Sequence, residues 1–204
     1  MISIVNYGLG NIQAFVNIYK KLNIAVALAS SPNELITADR IILPGVGAFD
    51  WAMTCLNASG MREMLEELVV VKKIPVLGIC VGMQMMAKRS DEGVLAGLGW
   101  TDAEVKKFDG TSFRQKTHLP HMGWNDVTVR KAEGLFRGLE SGARFYFLHS
   151  YYFVPNNLDD VLTITDYNGP FASSIRSRNI FGVQFHPEKS HDWGIQLLKN
   201  FAEL

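Results

Sequence analysis

The sequence predicts an α/β fold: a mostly parallel central sheet flanked by helices, with additional antiparallel strands. Three observations predict it. Short apolar runs alternate with helical periodicity through the first half, the pattern of parallel strands joined by right-handed crossovers. The run Ile74-Pro75-Val76-Leu77 reads as a fully buried strand that breaks at Gly78-Ile79-Cys80-Val81-Gly82 before helical spacing resumes. From Ala103 onward, strand-like runs follow one another with little helix between them, which suggests a meandering, more antiparallel half packed on the parallel one.

Residues 2–7 form the first expected strand, and Gly8-Leu9-Gly10-Asn11 turns the chain. With Asn11 as N-cap, Ile12, Phe15, Val16, Tyr19 and Leu22 fall at helical spacing. Residues 24–29 read as the second strand, Ser30-Ser31-Pro32-Asn33 opens a short helix, and residues 40–43 are the third strand. Met61, Met64, Leu65, Leu68 and Val69 mark an apolar helix face, with Ser59 as its cap. The helix after Cys80 is expected to run through Met83, Met86 and Lys88, and residues 89–98 to form a loop. Later strands are expected at 103–108, 124–130, 144–149, 151–154, 161–166, 172–176 and 179–185. A closing helix carries Ile195, Leu198, Phe201 and Ala202 on one face. No linker, repeat or low-complexity segment interrupts the chain, so one domain over residues 1–204 is expected.

At 204 residues, 48% hydrophobic and 20% charged, the chain suits an ordinary globular protein with a full core. Its 20 basic and 20 acidic residues cancel, so it carries no electrostatic footprint for nucleic acid or an anionic membrane. Two cysteines in such different contexts do not form a disulfide framework, and a reducing, cytoplasmic location is expected. Met1-Ile2-Ser3-Ile4-Val5 lacks the basic start of a signal peptide, and no apolar run reaches membrane-spanning length.

Gly78-Ile79-Cys80-Val81-Gly82 is the cysteine form of the G-x-S-x-G nucleophile elbow. A nucleophile on a sharp strand-to-helix turn sits in strained backbone, with the residues two positions either side pressed close. Glycine fits there without a Cβ clash. The helix start beside the sulfur favours thiolate over thiol. Cys55, between Thr54 and Leu56, reads as a small core hydrophobe. The second chemical stretch is Phe185-His186-Pro187-Glu188. His186 ends a strand and is the natural base for a thiol. Glu188, after the turn at Pro187, can hold the ring's other N–H. Cys, His and Glu, each at a strand end, suggest a triad.

Pro44-Gly45-Val46-Gly47 ends the third strand at the same sheet edge, where glycines let backbone approach a ligand. His149-Ser150-Tyr151 either lines that pocket or packs. Gly8-Leu9-Gly10 is not a dinucleotide fingerprint, because Gln13 stands where the third glycine belongs. The pairs His118 with His121 and His186 with His191 lack the companions of a metal site, so no metal or other cofactor is expected.

Gly-Ile-Cys-Val-Gly-Met-Gln at 78–84 with Phe-His-Pro-Glu at 185–188 resembles the class I, triad-type glutamine amidotransferases. Pro44-Gly45-Val46-Gly47, Pro120-His121-Met122-Gly123-Trp124-Asn125 and His149-Ser150-Tyr151-Tyr152 narrow the resemblance to the glutaminase subunits of imidazole glycerol phosphate synthases, over essentially the whole chain. The resemblance implies a flavodoxin-like amidotransferase fold. It implies that Cys80 attacks the side-chain amide of L-glutamine, that His186 is base and then acid, and that Glu188 orients His186. Backbone donors would come from near Val46 and Gly47 and from Val81, and Gly45, Gln84, Ser150 and Tyr151 would complete the substrate site. Ammonia would pass to a synthase partner, a (β/α)8-barrel cyclase in a heterodimer. His121, Met122, Trp124 and Asn125, in one short loop, and Lys189 beside the triad are the expected partner surface.

Asn6-Tyr7-Gly8 departs from the family's common Asp-Tyr-Gly, outside the triad. A sister branch, whose glutaminase feeds an amidotransferase of a bacterial surface sugar, therefore stays open. A stand-alone cysteine hydrolase would explain the elbow but not residues 120–125. A catalytically dead regulatory subunit is opposed by the intact Cys80, His186 and Glu188.

Overall fold

A computed structural model describes residues 1–111, 118–132 and 134–204. Its first half alternates β1 (Ile2–Val5), α1 (Ile12–Lys21), β2 (Val26–Ala29), α2 (Pro32–Leu35), β3 (Arg40–Gly45), α3 (Phe49–Ala58), α4 (Arg62–Glu66), β4 (Val76–Cys80) and α5 (Val81–Met85). Phe15, Val16 and Tyr19 form the buried stripe of α1, and Lys20 and Lys21 sit in its last turn, where cations suit the helix dipole. Asn11 stands at the N-cap, but its side chain makes no capping hydrogen bond. Every residue of β1 and β4 is buried, as continuous apolar runs in a doubly covered parallel sheet should be.

The second half adds β5 (Arg89–Ser90), β6 (Ala103–Lys107), β7 (His121–Asp126), β8 (Thr128–Val129), β9 (Arg144–His149), β10 (Tyr151–Pro155), β11 (Val161–Asp166), β12 (Pro170–Ser177), β13 (Ile180–Val183) and α6 (His191–Ala202). The main sheet runs β2-β1-β3-β4-β13-β12-β11-β8. Its first five strands are parallel, and β12, β11 and β8 continue it antiparallel. The order β10-β6-β5 makes a smaller sheet, and β7 pairs with β9 as a separate ribbon. The central sheet is thus the expected one, and the antiparallel half is the expected meander.

Several elements differ in extent. The helix after Cys80 stops at Met85 because other backbone takes the carbonyls that would continue it: Leu98 N–H donates to Met85, Thr101 N–H to Met86 and Gly99 N–H to Ala87. Residues 89–98 are not all loop, since Arg89 and Ser90 pair with Glu104 and Val105. The strand expected at 124–130 begins at His121 and breaks at Val127. Residues 121–125 are therefore strand rather than loop. Ser59 ends α3 instead of capping α4, though its Oγ accepts from Met61 N–H at 3.2 Å. In α6 the buried face centres on Leu197, Leu198 and Phe201, with Ile195 half-buried. Cys55 is free and partly buried against the core, as a packing residue would be.

Two contacts tie β1 to its neighbours. Tyr7 Oη donates to the Pro44 carbonyl at 2.6 Å, and Asn6 Nδ2 donates to Ser30 Oγ at 2.9 Å. Backbone packs directly on backbone between β3 and the start of α5. A Cβ on Gly82 would stand 1.9 Å from the Leu43 carbonyl oxygen, and one on Gly45 would stand 2.4 Å from Gly82 N. Both obstacles are backbone, which cannot swing aside. Gly82→Ala is therefore expected to cost about 3 kcal/mol or more of stability, at the upper end for overpacking. Thermal unfolding against wild type checks this, with Gly110→Ala as a control, since a Cβ there would meet only Leu119 Cδ1, at an ordinary 3.8 Å.

Candidate active site

β3 and β4 end side by side, with Gly45 opposite Cys80. β13 flanks β4 on its other side, pairing Val183 with Ile79, and the chain leaves it through Gln184, Phe185 and His186. Three strand ends thus bring a thiol, an imidazole and glycine backbone to the carboxyl edge of the sheet, where open α/β sheets bind ligands.

Cys80 has φ +55° and ψ −113°, a conformation that non-glycine residues rarely adopt. Its Sγ lies 3.9 Å from the Leu148 carbonyl oxygen and 3.8 Å from Gln184 Nε2. His186 is fixed at every polar atom of its backbone. Its N–H donates to the Tyr146 carbonyl at 2.8 Å, and its carbonyl accepts from Ser190 Oγ at 2.6 Å. Its Nδ1–H donates to Glu188 Oε1 at 2.9 Å, and the two side chains are only 3% and 2% exposed.

A cavity of about 340 Å³ opens beside Cys80 and His186, small but within the usual scale of ligand pockets. Val46, Gly47, Val81, Gln84, Ser150 and Tyr151 line it, and so does Lys189. Gly45 lies behind the wall, against Gly82. A larger groove of about 890 Å³ lies at the opposite edge of the sheet, between the residues before β13 and those around Trp100, and contains none of these groups. Among the described residues, no three His, Cys, Asp or Glu side chains are grouped to hold a metal ion.

Residues 3–204 match the model of the family "Glutamine amidotransferase class-I". The chain belongs to the class I glutamine amidotransferase family. It is 58% identical, over all of both chains, to a protein of Bdellovibrio bacteriovorus named "Imidazole glycerol phosphate synthase subunit HisH". It is 48% identical, again over all of both, to one of the same name from Leptospira interrogans. A solved glutamine amidotransferase superposes with a TM-score of 0.74 at 18% identity, covering 100% of this chain and 99% of that one. The structure titled PurLQS from Thermotoga maritima gives 0.73 at 15% identity, covering 99% and 97%. At such identities these two speak for the amidotransferase fold alone.

Electrostatics around this cavity divide its histidines. Burial alone would push His186 down, but the charge and hydrogen bond of Cys80 and the Glu188 carboxylate outweigh it and raise the ring to about 10. His149 and His121 gain no such partner, and burial drives them down to about 3 and about 4.

The structure also places groups at the site that the sequence did not single out. Glu92 lines the cavity, with its Oε2 accepting from Phe49 N–H at 2.8 Å. Burial raises its carboxyl, the Phe49 N–H opposes this, and Asp50 adds to it. Gln184 is fully buried beneath Cys80, and Leu148 forms part of the wall, together with His149 of the stretch expected either to line the pocket or to pack. The expected partner surface is divided. Met122, Trp124 and Lys189 are exposed, whereas His121 is 3% exposed and Asn125 turns its amide inward. Trp124 stacks on His191 at 5.3 Å, and Lys189 Nζ lies 5.6 Å from the Tyr146 ring centre.

The raised His186 gives a pH prediction with a definite sign. Glu188 stabilises the protonated ring, so Glu188→Gln is expected to move its titration down from about 10 toward the ordinary 6.5. NMR titration of the ring checks this, and the alkaline limb of the activity profile should move down with it.

Proposed function

We propose that this chain is the glutaminase subunit of an imidazole glycerol phosphate synthase, acting in histidine biosynthesis. It hydrolyses L-glutamine to L-glutamate and ammonia and hands the ammonia to a (β/α)8-barrel cyclase subunit in a heterodimer. The observation that carries the reading is Cys80 on a strained elbow, lining one cavity with His186, which is in turn held by Glu188. Full-length likeness to proteins named as that subunit supports the pathway.

Cys80 Sγ attacks the side-chain carbonyl carbon of glutamine, and the carbonyl π electrons move onto oxygen. Val46, Gly47 and Val81 line the cavity where that oxyanion would form, and their backbone N–H groups would meet it; Val81 opens α5, so its N–H has no partner within the helix. When the C–N bond breaks, His186 gives its proton to the leaving nitrogen, and ammonia departs from a thioester. Water then attacks the thioester as His186 takes its proton. The C–S bond breaks, and glutamate and the free thiolate remain. Glu188 keeps the ring oriented and stabilises its charge through the cycle.

The substrate's other end meets complementary charge. Glu92 offers a carboxylate to the α-ammonium group. Gln84 already spends both amide protons on the Tyr151 carbonyl and Gln184 Oε1, each at 3.0 Å, so its own oxygen is what it can offer a ligand. Ser150 and Tyr151 line the same cavity, where the carboxylate end would lie. Ammonia is useful only if delivered before it protonates and escapes, so the partner should cover this edge. Met122 and Trp124, 60% and 41% exposed on one face of β7, supply apolar anchors there.

The test is glutamate release by the chain alone, with the barrel cyclase, and with the surface-sugar amidotransferase. Strong stimulation by the cyclase alone is expected, and stimulation by the sugar enzyme alone would assign the chain to the sister branch. Equal, fast turnover in all three would refute coupling. Cys80→Ala and Cys80→Ser should abolish activity, and an electrophilic glutamine analogue should label Cys80 and not Cys55. Trp124→Ala is expected to weaken stimulation while leaving thermal stability unchanged.

A further inference from the structure

The β7–β9 ribbon shows two faces. Met122 and Trp124 look outward, while His121 and Asn125 look in. The His121 ring is clamped between Phe147 and Tyr167, stacked at 4.6 and 4.0 Å. Its Nδ1 lies 3.0 Å from His149 Nε2, and His149 Nδ1 lies 2.8 Å from the Tyr151 carbonyl oxygen.

These contacts fix every proton. A carbonyl only accepts, so His149 carries its hydrogen on Nδ1 and presents a lone pair at Nε2. His121 must therefore donate from Nδ1, which leaves its Nε2 as an acceptor. Asn125 Nδ2 donates to that atom at 3.2 Å. Asn125 is itself locked, because its Oδ1 accepts from Asp126 N–H at 2.8 Å and its Nδ2 donates to the Asp166 carbonyl at 2.9 Å. Both rings are neutral, as their lowered titration requires. The Tyr151 carbonyl also receives Gln84 Nε2, which reaches Gln184, whose Nε2 reaches Cys80 Sγ at 3.8 Å. One line of hydrogen bonds thus runs from the inner face of the ribbon to the thiol.

We propose that His121 and His149 are positioning residues for glutamine hydrolysis. Joined imidazole to imidazole, they hold the Tyr151 carbonyl, and through it Gln84, so that the glutamine site is set by the place of β7. The proposal rests on the glutaminase reading given above. It also gives the ribbon's exposed face a physical line to the pocket, because what moves Met122 and Trp124 moves His121 with them.

Glutamate release by the complex with the cyclase subunit and its acceptor ligand tests this in wild type, His121→Phe and His121→Asn. Phenylalanine keeps the stack and the volume but cannot donate, whereas asparagine restores a donor near Nδ1. His121→Phe is expected to raise the glutamine KM roughly tenfold, the size of one lost buried hydrogen bond, with kcat changed far less. His121→Asn should recover most of the loss. Asn125→Ala, which cuts the outer end and leaves both rings, should give a smaller rise of the same kind. An unchanged KM in His121→Phe would overturn the relay while wild-type turnover upheld the glutaminase. Equal KM rises in the Phe and Asn variants, tracking lost thermal stability, would reduce the pair to packing and also overturn it. A wild-type complex that released no glutamate would overturn both.

Discussion

The structure depends on one steric constraint, the contact of backbone with backbone where β3 passes the start of α5. The Leu43 carbonyl and the Gly82 Cα leave no room for a side chain, and Gly45 meets Gly82 N in the same way. With the two segments that close, the chain can leave β4 only through a turn that puts Cys80 at φ +55°. Such strain costs of order 1–3 kcal/mol. Burial offsets it easily. Val76, Leu77 and Ile79 on the same strand are at most 1% exposed, and each contributes roughly 1.5–3 kcal/mol. β4 is also held between β3 and β13, so the elbow cannot relax without breaking pairing on both sides.

β9 carries the opposite wall by a division of labour along one strand. Its side chains alternate, and Phe145 and Phe147 pack on Phe185 with ring centres at 3.9 and 5.5 Å. Its backbone serves the site two residues apart. The Tyr146 carbonyl holds His186 N–H, and the Leu148 carbonyl faces the thiol. The aromatic core beneath the triad and the polar contacts around it are therefore set by the same six residues. A shift of this strand would disturb His186 and Cys80 together.

The parts of the site that were legible in the sequence are those governed by local rules. Gly78 and Gly82 around Cys80 announce a turn with no room for side chains, and His186-Pro187-Glu188 needs only a stopped strand and a two-residue reach. What was not legible depends on distant backbone. Glu92 is placed by Phe49 N–H and by the pairing of β5, neither of which leaves a periodic signal. The length of α5 is set by residues 98–101, which take its next carbonyls. Gln184 did leave a signal, since a polar residue between Val183 and Phe185 in a buried strand needs partners. Period two in His121, Gly123 and Asn125 likewise marks the inward face of a strand, a pattern masked by reading Pro120–Asn125 as a loop.

Three histidines near one thiol have opposite tendencies, and composition could not have separated them. All three are buried, so desolvation acts alike on each. His186 differs because its ring has a partner at each end: the Glu188 carboxylate at Nδ1 and the Cys80 sulfur on the cavity side. His149 faces a carbonyl and a second imidazole, and His121 faces an amide, so neither has a charge to stabilise a proton. The consequence is selective. A proton supplied to the site rests on His186, from which it can reach a leaving amine. Protonating His149 Nε2 would set N–H against N–H at His121, and protonating His121 Nε2 would set it against the Asn125 amide. The relay thus stays out of acid–base chemistry by its own hydrogen bonding, and position is what it can transmit.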